Sequence, residues 1–344
     1  MSNWSTAMRR TVSFPLKLTR NYRDGQVRHR RALLIVQIVY FAVLGGALLY
    51  TGNWPTPDQI GLALFAFAIL MARPLAFLRD WAPFVLLILS YEALRGNADG
   101  LVANVHIGFP ITMDKAMFGG TLPTVWLQDK LWDPNNITWY DYVAAFMHPM
   151  HFLVPLAVAF VFWMRSQRLY WRFVASYLLL TYSGFVTYVL YPMAPPWYAG
   201  DIGRIPHVDT ILGEVLWRNS VSHPLVFVYD HFNPNPVAAM PSLHAAFPVL
   251  IFLICLKLNP RWGWPSIFYP LLMDFAVVYM GEHYVTDCIA GTVYGAAAFY
   301  ICWVLPGQVK AWRTRRVGVE QVAPAGLPEP ATAQATVLPP GGSE

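Results

Sequence analysis

Long apolar runs separated by short polar stretches set the rhythm of this chain. They cover residues 32–50, 60–78, 82–94, 142–164, 173–191, 241–258, 265–280 and 285–305. A helix of about twenty apolar residues is long enough to cross the hydrocarbon of a bilayer. The pattern therefore predicts an all-α polytopic membrane protein with about eight transmembrane helices. The first run is longer than the core of a secretory signal and has no small-x-small cleavage site, so it reads as a retained helix. The run at 82–94 is the shortest, and the arginines decide whether it spans.

Positive charge collects in cytoplasmic connections. Arg28, Arg30 and Arg31 place the basic segment 1–31 in the cytoplasm. With eight spans, four further groups fall on the same side: Arg73 and Arg79; Arg165, Arg168 and Arg172; Lys257 and Arg261; and Lys310 to Arg316. Removing the span at 82–94 would send the group at 165–172 outward, so it is kept. Both termini are then cytoplasmic. The outer connections 97–140 and 192–240 are long and rich in Trp, Pro, Gly and Asp, as expected of loops that carry function. The stretch 114–131 is expected to lie along the interface.

Composition agrees with this picture. Charged residues are only 12% and mean hydropathy is +0.40, against about 25% charged residues in soluble domains. The net charge of +5 sits in the clusters that orient the chain, which argues against nucleic-acid binding. Cys255, Cys288 and Cys302 lie in apolar runs without C-x-x-C spacing, so no disulfide framework or zinc site is indicated. The tail 317–344, rich in Ala, Pro and Gly, reads as disordered. That tail and the lack of organelle signals point to a bacterial cell membrane.

Candidate chemistry lies in two strings, Met240-Pro241-Ser242-Leu243-His244 and Gly281-Glu282-His283-Tyr284-Val285-Thr286-Asp287. Both fall where an apolar run meets an outer connection. His283 and Asp287 are four apart, which is one helical face. A carboxylate beside an imidazole fixes its tautomer and raises its basicity. His244 is placed to protonate a leaving oxygen. Ser242 and the following backbone N–H groups suit phosphate oxygens. A single interfacial histidine is commonly just an interfacial polar group, but two with a carboxylate on one side favour a site.

These strings resemble the type 2 phosphatidic acid phosphatase superfamily. P-S-L-H and H-Y-V-T-D look like its second and third motifs. The fuller strings A-A-M-P-S-L-H-A-A and Y-M-G-E-H-Y-V-T-D-C-I-A-G look more like its inositol phosphorylceramide synthase branch. Weaker echoes are Y-E-A-L-R-G at 91–96, F-G-G-T-L-P-T-V-W-L-Q at 118–128 and Y-P-M-A-P-P-W at 191–197. The resemblance implies a six-helix catalytic bundle within a membrane domain at 81–305, preceded by two helices at 32–80. It also implies a phosphohistidine on His283, orientation by Asp287, acid catalysis by His244, phosphate contact by Ser242, and no metal or other cofactor. Substrate-binding candidates are Ser242, Arg95, Arg204, Tyr284 and His151.

The chain departs from the superfamily where an arginine is usual six residues before the nucleophile, because Val277 stands there. The first motif is not recognisable either. Phosphate still needs cationic partners. Arg95 is favoured, with an interfacial snorkelling role as its competitor. Arg204 comes second, and Arg218 reads as a loop charge. His148 and His151, three apart, lack a third ligand for a metal, and His151 is the one expected to reach a substrate cavity. Asp114 and Lys115 read as a surface pair.

The expected substrate is a phospholipid or lipid phosphate, reached from the bilayer. The preferred reaction is head-group transfer as in inositol phosphorylceramide synthesis, with a lipid phosphate or polyprenyl pyrophosphate phosphatase as the alternative. A transporter using the histidines as a proton relay would need ionisable groups near mid-membrane and pseudo-symmetric halves.

Overall fold

The computed structural model describes residues 74–98, 105–218, 238–309 and 311–312. The basic N-terminus, the predicted span 32–50, most of 60–78 and the tail lie outside the described residues. Every regular element among the described residues is helical.

Helix α1, Pro74–Ala98, begins on a proline, whose fixed φ and missing N–H suit a first turn. It continues through Arg79, Asp80 and Trp81 without a break. This corrects the predicted boundaries: residues 74–78 belong to α1, and 82–94 is the middle of a 25-residue helix. A charged pair looked like a loop in the sequence, but Asp80 is buried. Its carboxylate accepts Trp163 Nε1 at 2.9 Å, Gln167 Nε2 at 2.8 Å and Arg79 Nε at 2.9 Å. A charge with three donors can be buried inside a bundle.

The first long connection folds into α2, Gly108–Met117, and α3, Pro123–Leu131. Helix α4, Trp139–Arg165, starts on a capping box. Asp141 accepts both the N–H and the hydroxyl of Thr138 at 2.7 Å, and its other oxygen takes the Tyr279 hydroxyl at 2.5 Å. One residue, Ser166, separates α4 from α5, Gln167–Leu190. The second connection carries α6, Pro196–Asp201, and α7, Ile211–Arg218. Then come α8, Leu243–Leu258, and the short α9, Pro260–Gly263. A 3-10 turn at Trp264–Ile267 leads into α10, Phe268–Tyr279. Next comes α11, Val285–Phe299, prolonged by a π turn at Tyr300–Val304.

Among the described residues three helices are long and apolar enough to cross a membrane: Trp139–Arg165, Gln167–Leu190 and Val285–Val309. The predicted run 265–280 yields only a 12-residue helix, about 18 Å long, because Pro260 and Pro265 confine the preceding residues to short turns. Side chains such as Leu86, Val186, Leu271 and Val293 point outward. An apolar periphery around a packed interior is what a bilayer solvates.

Between lipid-facing helices close packing replaces the hydrophobic effect as the main cohesive term. Helices α8 and α11 use it most directly. A Cβ on Gly291 would run into the Ser242 carbonyl, and one on Gly295 into the Ala246 carbonyl. On its other side α8 joins an aromatic core with Phe84, Trp163, Tyr170 and Phe173 from α1, α4 and α5. His244 opens α8 and Lys257 closes it, so the candidate chemistry and a basic cluster lie at opposite ends of that helix.

Candidate active site

The turn from α10 into α11 is fixed before any side chain acts. Gly281 has φ of +82°, and a Cβ there would sit 2.7 Å from Val208 Cγ1. The Val277 carbonyl accepts the N–H groups of Glu282 at 3.0 Å and His283 at 3.2 Å. The Gly281 carbonyl takes Trp197 N–H at 3.1 Å, which makes Pro195-Pro196-Trp197 a braced turn. The Val277 side chain is fully buried in an apolar cluster with Met273, Ile211 and Ala245. An arginine there would have to be accommodated inside that cluster.

The first turn of α11 is held by two carboxylates. Asp287 Oδ2 accepts Tyr284 N–H at 2.9 Å and lies 3.5 Å from His283 Nδ1. Asp114, from α2, accepts the N–H groups of Val285 at 3.1 Å and Thr286 at 2.9 Å, and the Thr286 hydroxyl at 2.5 Å. Asp114 is fully buried. This corrects its reading as half of a surface pair: it caps the helix that directly follows His283, from 171 residues away. Negative groups at a helix N-terminus are favoured by the unpaired N–H groups and the dipole.

Helix α8 brings His244 opposite. Its Nδ1 lies 3.1 Å from His283 Nε2. The rings of His151 and His148, from α4, sit 3.9 Å and 4.6 Å from the His244 ring. The third imidazole that the sequence pattern lacked is thus supplied by α8. A cavity opens beside these rings, bordered by His151, Tyr177, Thr181, His244, Glu282 and His283.

Glu282 was missed by sequence reasoning. Its side chain is almost wholly buried, lines this cavity, and has one oxygen without a hydrogen-bond partner among the described residues. Burial pushes its carboxyl up to about 7, with His283 acting in the opposite direction. Its position next to His283 in the string was the available signal.

The other expected residues are placed unequally. His151 lines the cavity, and its Nδ1 is 2.5 Å from the His148 carbonyl. Ser242 is fully buried. Its hydroxyl caps α8 by accepting Ala245 N–H at 3.3 Å, and its own N–H donates to the Asp287 carbonyl at 3.1 Å. Tyr284 packs with Leu122, Ala199 and Val208 behind the site, away from the cavity. Arg204 is exposed on the loop after α6 and does not line the cavity. Arg95 lies on α1, and its side chain, like that of Arg218, is outside the described residues.

Comparison with known proteins bears on this arrangement. The profile of the PAP2 superfamily matches residues 128–301. The chain is 27% identical over 241 residues to the phosphoinositol dihydroceramide synthase of Bacteroides thetaiotaomicron, covering 67% of this chain and 77% of that protein. It is 24% identical over 187 residues to the inositol phosphorylceramide synthase catalytic subunit of Schizosaccharomyces pombe, covering 52% and 43%. It is 22% identical over 203 residues to the inositol phosphorylceramide synthase of Candida albicans, covering 54% and 40%. No solved structure matches.

Proposed function

The chain belongs to the PAP2 superfamily and is a membrane enzyme of it, and from that premise we propose that it transfers a phosphoinositol head group from a phospholipid to a lipid alcohol. The observation that carries this reading is the pairing of His244 and His283 at 3.1 Å with Asp287 behind His283. His283 Nε2 attacks phosphorus, the P–O bond to the diacylglycerol breaks, and His244 gives its proton to the leaving oxygen. The acceptor hydroxyl then loses its proton to His244 and attacks the phosphohistidine, and the P–N bond breaks.

Attack needs phosphorus about 3–3.5 Å from the nucleophile, with the acid within hydrogen-bond reach of the leaving oxygen. The two nitrogens must therefore separate by roughly 2–4 Å when substrate enters. The half-buried His244 borders the cavity on the first turn of α8, whereas His283 is backed by Asp287. A modest approach of His283 to Asp287 converts their 3.5 Å separation into a hydrogen bond.

Arg95 remains our preferred phosphate partner, because it closes α1 in a family-like string; Arg204 is exposed and does not line the cavity. His151 contacts substrate from the cavity wall. Ser242 acts on phosphate through the helix start that it caps. We read the whole chain as eight spans around a six-helix bundle in a bacterial cell membrane. The termini are cytoplasmic and the site faces outward, supported by the arginine pattern and by the polarity of α8.

The test is turnover of phosphatidylinositol labelled in the inositol ring, with the full chain reconstituted alongside a panel of lipid alcohols including a ceramide. A new labelled lipid is expected, in step with diacylglycerol. Release of labelled inositol phosphate alone would favour hydrolysis, and no consumption of the donor would sink the substrate assignment.

A further inference from the structure

Three imidazoles meet where proton transfer to the leaving group requires only one of them. His148 and His151 share a face of α4, and His244 opens α8. One ring nitrogen from each lies within 4.8 Å of the other two. We propose that His148, His151 and His244 form an inhibitory site for a zinc-like transition-metal cation.

Three features point to a metal. The donors are all imidazoles, which suit Zn²⁺, Cu²⁺ and Ni²⁺ and not the oxygen-seeking Mg²⁺ or Ca²⁺. They come from two packed helices, so little backbone entropy is lost on binding. His151 Nδ1 is 2.5 Å from the His148 carbonyl. That contact makes Nδ1 the proton-bearing nitrogen and puts the lone pair on Nε2, as the second-shell contacts of metal-bound histidines do. Tetrahedral zinc with bonds of about 2.0–2.1 Å needs its ligand nitrogens roughly 3.3 Å apart. From the observed spread the rings close by about 1.5 Å.

The functional consequence follows from His244. An imidazole that donates its lone pair to a cation no longer shuttles a proton, so an occupied site stops turnover. Three protein ligands leave a fourth position open, and a phosphate oxygen of bound lipid fits it as a dead-end ligand. Binding is independent of the activity proposed above; inhibition rests on that reading.

Untagged full-length protein in lipid nanodiscs is titrated with Zn²⁺ against a chromophoric chelator, with Co²⁺ as an optical probe of tetrahedral coordination. One equivalent of Zn²⁺ is expected. His148→Gln should weaken affinity more than about 100-fold, since even second-shell losses cost 10–100-fold. His148→Cys, which restores a ligand, should recover much of it, and this separates coordination from misfolding. In the transfer assay Zn²⁺ should inhibit with the midpoint seen for binding, and His148→Gln should keep basal turnover while losing zinc sensitivity. No stoichiometric binding, or equal affinity in wild type, His148→Gln and His151→Gln, overturns the site. Binding without inhibition keeps the site and overturns the acid role of His244.

Discussion

Replacing Asp114 by alanine removes the charged acceptor from two backbone N–H groups and one hydroxyl at the start of α11. All three bonds converge on a carboxylate that is 0% exposed, so water cannot readily take its place. A hydrogen bond to a charged group contributes about 1.5–3 kcal/mol, and an N-cap lost to alanine costs about 0.5–2 kcal/mol. The three bonds are not additive, because α11 keeps Asp287 as a second anchor. A loss of about 3–4 kcal/mol is expected. For a chain of 344 residues that is a fall in Tm of roughly 4–6 °C. The catalytic effect has a different origin. His283 precedes the capped turn, so loosening it shifts the nucleophile, and a displacement of about 1 Å is enough for a 10²-fold loss. Thermal unfolding in detergent and steady-state transfer kinetics together read both effects. The fall in rate should appear in kcat with KM close to wild type, since Asp114 does not border the cavity. Asp114→Asn keeps one acceptor oxygen and should lie between. A Tm within about a degree of wild type, with kcat intact, would refute the claim that α2 holds the catalytic turn.

His283→Ala should abolish transfer and the labelled phosphoenzyme together; persistence of the phosphoenzyme would move the nucleophile elsewhere. His244→Ala should slow turnover about 10²–10⁴-fold, and full activity would remove it from the acid role. Gly291→Val should fail to reach wild-type stability, because its side chain meets the Ser242 carbonyl; unchanged unfolding would show that the helices can part there. Glu282 supplies a pH test. Its carboxyl is raised from 4.5 to about 7, so the native state keeps a proton that the unfolded state has lost. Its contribution to stability therefore declines as pH rises from 4.5 towards 7 and stays unfavourable above. Glu282→Gln should gain Tm over wild type at pH 8 and lose that gain by pH 4.5; an equal difference at both would refute the burial argument.

The residues legible in the sequence are those whose partners are close by in it. His283 and Asp287 are four apart and Ser242 and His244 straddle a helix start, so short-range rules found both strings, although α11 begins only at Val285 and leaves His283 just ahead of it. Asp114 was misread because its neighbour Lys115 offered a bland explanation while its true partners, Val285 and Thr286, lie in another helix. The same limit hid the third imidazole: His151 and His244 meet only once α4 packs on α8. The helical class and the runs on α4, α5 and α11 were plain from hydropathy. The start of α1 was not, since Arg79 and Asp80 look like a loop until Trp163 and Gln167 are in place. The prolines around 260–265 were visible, yet their shortening of α10 emerged only with the fold.

The glycine seam between α8 and α11 has a mechanical consequence. Backbone lies against backbone at Gly291 and Gly295, so neither helix can slide along the other without a collision. His244 and His283 thus ride on a single fixed jaw. The opposite wall, where α1 and α5 meet the cavity through the rings of Tyr91, Tyr177 and Tyr188, is fastened to the same jaw: the Tyr188 hydroxyl donates to the Pro241 carbonyl at 2.7 Å, and Tyr177 stacks on Phe247 of α8. A shift of α8 would therefore pull on both walls of the cavity at once, so the pocket holds its shape as one piece.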